Sequence, residues 1–202
     1  IPNPIDTKVY HPMDQGMARE LLGLPSGKRL LLFGALNVTD KRKGIDYLIE
    51  ALRRMEKQDV ELVVFGQVKD DIRGLFPVPI HSMGYLSDES KIVALYNAVD
   101  MFITSSLEEN LPNTIMESMA CGTPCVGFEI GGIPEMIDHR VNGYVANYKD
   151  AGDLANGIQW VLEHEDRLAL SDACVKKVQE NYTEEVVAKQ YTALYEKLLK
   201  GE

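Results

Sequence analysis

Residues 30–52 of the chain read LLLFGALNVTDKRKGIDYLIEAL, and this stretch decides the fold class. It opens with the unbroken apolar run Leu30–Phe33, passes through a loop with three adjacent basic residues, and ends with apolar residues at helical spacing, namely Ile45, Leu48, Ile49 and Leu52. A short apolar run without alternation is typical of a strand covered on both faces. The spacing that follows predicts a helix packed against that strand, as in one unit of a parallel sheet.

The same alternation continues to about residue 146. Further apolar runs predict strands at 60–65, 78–80, 101–103, 125–128 and 144–145, and Ile92, Leu95 and Tyr96 predict a helix among them. Beyond residue 150 only helical patterns remain, at 154–162 and, after a Thr183 cap, at 187–198, and both are expected to face the core. The sequence thus predicts an α/β fold, a Rossmann-like doubly wound parallel sheet of about six strands with extra C-terminal helices.

Composition bounds the function classes. The 202 residues, 45% of them hydrophobic, suffice for a single domain over residues 1–202 with a sizeable core. A formal net charge of −10 argues against nucleic acid and anionic membranes as general partners, because like charges repel. Three cysteines without a zinc-binding spacing favour buried reduced thiols in a cytoplasmic protein.

The first residues are typical of a linker. The chain lacks Met at position 1, and Pro2 and Pro4 favour an extended or turn-like backbone. We expect residues 1–12 to be the remnant of an interdomain linker, and another domain to precede them in the parent protein.

Candidate site residues lie in the loops that follow the predicted strands, where open α/β sheets bind ligands. These loops are 34–44, 105–113 and 131–135, and we expect one site to collect all three. Lys43 stands directly before Gly44 and the helix that follows, where backbone N–H groups and the helix dipole favour an anion such as a diphosphate. The alternative is that Lys41-Arg42-Lys43 only solvates a loop, which is the commoner fate of short charge runs.

The stretch Glu109–Glu117, ENLPNTIME, is more specific. Pro112 is predicted as the first residue of a helix, because its fixed φ suits that position. The amides near Leu111 and Asn113 would then face an anion, while Glu109 and Glu117 flank the helix start and accept hydrogen bonds from sugar hydroxyls. Against this, most arbitrary pairs of glutamates are solvated helix charges.

Glu109 and Glu117, with seven residues between them, are followed by SMACGTPCV at 118–126 and GGIPE at 131–135. This pattern resembles the donor-site signature of family 4 glycosyltransferases, and the resemblance covers essentially the whole chain. It implies the C-terminal, donor-binding half of a GT-B architecture, with an absent N-terminal acceptor domain and a C-terminal crossover helix over 183–202.

The resemblance also implies a function. The parent enzyme would transfer a sugar, with retention and without a metal, from a UDP-, GDP- or ADP-sugar to a glycan or lipid-linked acceptor, for example in polysaccharide biosynthesis. Lys43 would neutralise the leaving diphosphate, Glu109 would bind the transferred sugar and Glu117 the ribose. The implied donor-binding residues are Gly34, Arg42, Lys43, Gly84, Glu109, Asn110, Leu111, Pro112, Asn113, Thr114 and Glu117. Any membrane contact, peripheral at the inner face, would come only through the absent half.

Two departures from the family pattern stand out. Many relatives carry Arg after the glycine of the first strand, where this chain has Ala35, so Arg42 or Lys41 would have to compensate. Gly66-Gln67 lacks a second glycine often found after the second strand. The base is expected near His81 and Tyr85, although a single such residue at a strand end is more often structural.

Other functions are weaker or remain as alternatives. The absence of Gly-x-Gly-x-x-Gly and phosphate-loop motifs weakens NAD-dependent and ATPase readings, and the four histidines lack metal-ligand spacing. A nucleotide-sugar epimerase or phosphorylase of similar architecture remains open. A non-catalytic interaction scaffold also remains, although the glutamate pair argues against it.

Overall fold

Six parallel strands form a single sheet in the computed structural model, in the spatial order β3-β2-β1-β4-β5-β6. The structure describes residues 1–38, 40–55, 59–67 and 73–201. The strands are β1 (Arg29–Asn37), β2 (Val60–Gln67), β3 (Ile80–Gly84), β4 (Met101–Thr104), β5 (Cys125–Phe128) and β6 (Gly143–Ala146). The predicted Rossmann-like sheet of about six strands is confirmed, and its strand order reverses between β1 and β4.

Helices cover both faces of the sheet. They are α1 (Gln15–Leu22), α2 (Ile45–Arg54), α3 (Glu89–Ala98), α4 (Asn113–Ala120), α5 (Ile133–Met136), α6 (Ala151–Leu162), α7 (Arg167–Asn181) and α8 (Glu184–Lys200), with short 3₁₀ turns at Lys41–Lys43 and Arg73–Leu75. Alternate residues of β1 enter two cores. Leu31 and Phe33 join α2 and α6, whereas Leu30 and Leu32 join α1, α3 and α4, as the period of a strand requires.

Three predicted boundaries were wrong. β1 continues past Phe33 to Asn37, because Asn37 still pairs with Gln67 after a register shift. β3 begins at Ile80, so residues predicted to follow that strand, up to Gly84, form it instead. Pro112 has φ −68° and ψ 120°, an extended conformation, so it is the N-cap of α4 and the helix begins at Asn113. Proline's fixed φ suits both positions, but the extended ψ settles which one it occupies.

The C-terminal helix differs from prediction in its surroundings. Thr183 caps α8 as predicted, since its hydroxyl accepts a hydrogen bond from Val186 N at 3.3 Å. Val187 is buried, but the rest of the apolar stripe is exposed, at 39% for Tyr191 and 63% for Leu198. The expectation that this whole stripe faces the core was therefore wrong, because periodicity reports an apolar face and not its partner. Among the described residues, no helix is both long and apolar enough to cross a membrane.

The three cysteines are free and buried, in agreement with the reduced thiols expected from their spacing. Met116 and Met119 are also buried, as core residues of α4. The apolar residues of α4 thus hold the helix against the sheet, which fixes its N-terminus at the carboxyl edge of β4.

A buried carboxylate, Asp100, ties the opposite edge of the sheet together. Its side chain is 2% exposed and accepts hydrogen bonds from Leu30 N at 2.7 Å and from the guanidinium groups of Arg19, Arg29 and Arg167 at 3.1, 3.4 and 2.5 Å. These donors belong to α1, β1 and α7, so one side chain at the start of β4 connects three elements. Removing one partner of a buried ion pair leaves uncompensated charge in a poorly solvated place.

We expect Asp100→Asn to lower the free energy of unfolding by about 3 kcal/mol, because three guanidinium groups lose their common counter-charge. Urea denaturation monitored by circular dichroism measures this change. Glu185→Gln is the matched control, since it removes an exposed carboxylate paired with Lys189 on α8 and should leave the denaturation midpoint unchanged. A variant at Asp100 as stable as the parent chain would contradict the connecting role.

Candidate functional site

The reversal of strand order opens a crevice at the carboxyl edge of the sheet, between β1 and β4. The loops that follow these two strands are joined there by hydrogen bonds. Leu107 N donates to Arg42 O at 2.7 Å, and Ser105 Oγ donates to Lys43 O at 2.9 Å. The basic loop is therefore held against the start of the β4 loop. One of its residues, Thr39, lies outside the described part of the chain.

Two glycines allow the loops to approach this closely. Gly44 has φ +62°, and a Cβ there would lie 1.9 Å from Ser105 O. Gly131 has φ +54°, and a Cβ there would lie 2.0 Å from Glu109 O. Both positions need the left-handed conformation and the missing side chain of glycine. The loops after β1, β4 and β5, predicted to form one site, thus meet in the structure.

Lys43 and Glu109 form an ion pair in this crevice. Lys43 Nζ lies 2.5 Å from Glu109 Oε1, and the side chains are 31% and 15% exposed. The surrounding cleft is lined by Arg42, Lys43, Glu108, Glu109 and Asn110. Two basic and two acidic side chains balance one another there, so the residues that line the cleft have no net formal charge. A polyanion entering it would have to separate Lys43 from Glu109.

Asp40 holds the neighbouring basic residue. Its carboxylate accepts hydrogen bonds from the Arg42 guanidinium at 2.7 and 3.2 Å and from Arg42 N at 2.9 Å. Hydrogen bonds from the Arg42 side chain and backbone lower the pKa of Asp40 to about 2. Ala35, at the position where many relatives have Arg, is buried in β1. Of the two residues expected to compensate, Arg42 lines the cleft.

Three helix starts lie at the crevice, those of α2, α4 and the short α5, and all three lack side-chain caps among the described residues. Gly44 precedes α2 and Pro112 precedes α4, and neither provides a side chain that accepts from the first turn. Five other helices are capped by side chains, those of Asp14, Asp88, Asp150, Asp166 and Thr183. Amides without a side-chain cap at the positive end of a helix favour an anionic ligand.

Glu117 lies in the second turn of α4 and faces α3. Its Oε2 accepts a hydrogen bond from the Tyr96 hydroxyl at 2.8 Å. Burial raises the pKa of Glu117, the hydrogen bond from Tyr96 opposes the rise, and the charge of Glu89 adds to it. Glu109 and Glu117 therefore contact different elements, the basic loop and α3 respectively. That both reach one ligand stays a prediction.

The remaining predicted site residues lie within the sheet or in the loops at its carboxyl edge. Gly34 pairs with Phe65 inside the sheet, and Gly84 ends β3 two strands away. Asn110 O accepts from Gly132 N at 2.6 Å, which holds the β4 loop to the β5 loop. Three further residues lie at the start of α4, namely Leu111, Asn113 and Thr114.

The two residues considered for the base differ in their surroundings. His81 Nε2 lies 2.5 Å from Glu61 Oε2 on the adjacent strand, as a structural histidine would. Tyr85 is 62% exposed.

Sequence reasoning missed two polar contacts of the site. Tyr96 was placed on an apolar helical stripe, and nothing in the sequence connects its hydroxyl with a carboxylate 21 positions away on another helix. Asp40 had a readable signal, since Asp before a short helical turn is a common cap. Within the described ranges, no group of three or more His, Cys, Asp or Glu side chains is arranged to hold a metal ion.

Known proteins share this sequence pattern and this fold. A family model described as "Glycosyl transferases group 1" matches residues 27–164. N-acetyl-alpha-D-glucosaminyl L-malate synthase of Bacillus anthracis is 25% identical over 206 residues, which cover 99% of this chain and 54% of that protein. The chain spans about half the length of the curated relatives it matches.

Two solved structures illustrate the likeness in fold. Anabaena Alr3699/HepE in complex with UDP and glucose aligns with a TM-score of 0.79 at 20% identity, over 97% of this chain and 56% of that one. The C-terminal domain of the glycosyl transferase group 1 family protein LpcC of Francisella tularensis aligns with a TM-score of 0.74 at 21% identity, over 89% of this chain and 99% of that one. The matched model covers more than half of the chain and includes the whole crevice. The chain therefore belongs to the group 1 glycosyltransferases.

Proposed function

We propose that residues 1–202 are the donor-binding part of an enzyme that transfers a sugar from a nucleoside-diphosphate sugar to a glycan or lipid-linked acceptor, with retention at the anomeric carbon. The observation that carries the proposal is the Lys43–Glu109 ion pair at the reversal of strand order, beside two helix starts without side-chain caps. Membership of the group 1 glycosyltransferases supports sugar transfer as the reaction class.

The diphosphate would bind between Lys43 and the start of α4. Lys43 offers a partly exposed ammonium group, and the backbone amides from Leu111 to Thr114 lie at the positive end of that helix. Arg42 adds a second cation to the cleft, although its guanidinium group is paired with the Asp40 carboxylate. Charge-assisted hydrogen bonds to phosphate oxygens are strong enough to replace the Lys43–Glu109 pair.

The two glutamates would bind the hydroxyl groups of the ligand. When the diphosphate binds Lys43, the ion pair with Glu109 would break. Glu109 would then accept hydrogen bonds from the transferred sugar, and Glu117 would accept them from the ribose. An ionised carboxylate can accept hydrogen bonds but cannot donate them. It therefore binds hydroxyl groups, which can donate, and repels phosphate. Gly34 and Gly84 would line the rest of the donor site.

Lys43 would act chiefly as the glycosidic bond breaks. Negative charge then accumulates on the leaving diphosphate, and a fixed ammonium stabilises that charge more strongly than it stabilises the bound donor. Such a contribution is worth about 3 kcal/mol when a single donor is removed from a charge-stabilising site. Sugar transfer would proceed without a metal ion.

The acceptor site is proposed to lie in a part of the protein outside residues 1–202. The chain covers 54% of the Bacillus anthracis relative, so a second domain of similar size would complete it. Anabaena HepE, which shares the fold, is seen with UDP and glucose, which favours UDP among the donors to be tested.

Lys43→Ala should lower the affinity for a nucleoside diphosphate at least about tenfold, because a charge-assisted hydrogen bond is lost. Isothermal titration calorimetry with UDP, GDP, ADP and their hexose conjugates measures this and identifies the base. Lys41→Ala is the matched control, since Lys41 belongs to the same 3₁₀ turn but does not line the cleft. The affinity of this variant for the nucleoside diphosphate should stay within about twofold of that of the parent chain. Equal losses in the two variants would refute the specific role of Lys43.

Glu109→Gln should affect the binding of two ligands differently. It releases Lys43 from its counter-charge, so the affinity for the free nucleoside diphosphate should rise by up to about fivefold. Affinity for the nucleotide sugar should not rise, because the sugar loses its charged acceptor. The same calorimeter reads both values. Glu108→Gln removes an equal charge from the cleft without freeing Lys43, and a similar gain in that variant would show a general charge effect instead.

Turnover separates the proposal from its alternatives. Residues 1–202 should bind a donor and show negligible transfer, because the acceptor site lies elsewhere. Robust transfer by this chain alone would overturn the division between two domains. An epimerase would convert the nucleotide sugar without an acceptor, a phosphorylase would use inorganic phosphate, and a scaffold would show no shift of melting temperature with any nucleotide.

A further inference from the structure

We infer that Tyr96 is a positioning residue for nucleotide recognition, because its hydroxyl fixes one oxygen of Glu117 and thereby directs the other toward the ribose of the donor. The inference rests on the proposed function, in which Glu117 takes the ribose. Tyr96 itself is buried and would contact Glu117 but not the ligand.

Tyr96 is held in place on every side. It is 1% exposed, and its ring makes edge-to-face contacts with Phe65 and Phe102 at centroid distances of 6.2 and 6.0 Å. Its carbonyl oxygen accepts a hydrogen bond from Thr123 Oγ1 at 2.8 Å. A buried aromatic ring confined in this way cannot follow a moving partner. The hydroxyl is thus a fixed donor, and Glu117 has to come to it.

The contact engages one of the two carboxylate oxygens. Tyr96 donates to Oε2 of Glu117 at 2.8 Å. Oε1 is then the oxygen left to accept from the hydroxyl groups of a ligand. Vicinal ribose hydroxyls present two donors at a fixed separation, so an acceptor whose rotation is blocked recognises them better than a freely rotating one. A tyrosine behind the carboxylate therefore contributes to affinity without touching the nucleotide.

The surroundings of Glu117 make this donor necessary. Burial and the charge of Glu89 both favour the protonated acid, and the Tyr96 hydrogen bond is the contact that favours the carboxylate. Tyr10 is near the same carboxylates. Burial and the charges of Glu117 and Glu89 raise the pKa of its hydroxyl. Without the Tyr96 hydroxyl, Glu117 would protonate at higher pH and lose acceptor capacity, in addition to losing its fixed orientation.

The test compares Tyr96→Phe with the parent chain, using the tightest binder among UDP, GDP and ADP and its 2′,3′-dideoxy analogue in calorimetry. Affinity for the ribonucleotide should fall about tenfold, while affinity for the dideoxy analogue stays within about twofold. Both ligands are titrated into one preparation, so the ratio of affinities does not depend on the folded fraction. The pH below which the ribonucleotide is released should also rise in Tyr96→Phe.

Tyr144→Phe is the matched control. Tyr144 lies on β6, is 5% exposed and donates a hydrogen bond to Asp153 Oδ1 of α6 at 2.9 Å, so this variant also removes a partly buried tyrosine–carboxylate contact. Its affinity ratio should equal that of the parent chain. If Tyr96→Phe weakens both ligands equally, or neither, the positioning role is refuted.

Glu117→Gln separates failure of the inference from failure of the proposed function. It should reduce the preference for the ribonucleotide at least as much as Tyr96→Phe does. If Glu117→Gln changes the preference and Tyr96→Phe leaves it unchanged, only the inference fails. If Glu117→Gln leaves it unchanged, the assignment of the ribose to Glu117 fails, and the inference fails with it.

Discussion

The candidate site depends on a backbone constraint: three loops approach one another more closely than side chains at two positions would allow. The carbonyl oxygens of Ser105 and Glu109 occupy the space that a Cβ at Gly44 or Gly131 would need. This approach brings Lys43 within reach of Glu109 and lets Gly132 support the carbonyl of Asn110. The charged side chains of the cleft are positioned by main-chain packing, so the chemistry of the site follows from where glycine occurs in the loops.

Much of the fold was readable from the sequence because continuous apolar runs and helical periodicity are local properties. All six strands were predicted, and β5 was predicted with its bounds, because Cys125–Phe128 is buried on both faces. The errors arose where contacts between residues distant in the sequence determine the end of a strand or the burial of a helix face. The extension of β1 to Asn37 depends on its partner Gln67, and the exposure of Tyr191 on α8 depends on what lies beside that helix. Neither fact is present in the local pattern.

The site was readable in part for the same reason. Lys43, Glu109 and the start of α4 were recognised from their places after strands, and the structure gathers Lys43 and Glu109 in one cleft. Their ion pair was not predicted, because each was considered as a partner of a ligand or of solvent and not of the other. The contact between Tyr96 and Glu117 joins two helices and was equally invisible. A sequence reveals which side chains lie at one edge of a sheet more readily than it reveals which of those side chains pair with one another.

The position of Asp100 has a consequence for how such a domain diversifies. The carboxylate and its three arginines lie at the amino ends of the strands, whereas the cleft lies at the carboxyl ends. Substitutions that change ligand preference at one end of the sheet can therefore leave the ionic cluster at the other end untouched. The ligand specificity of the cleft and the stability of the sheet are thus separable by position in this fold.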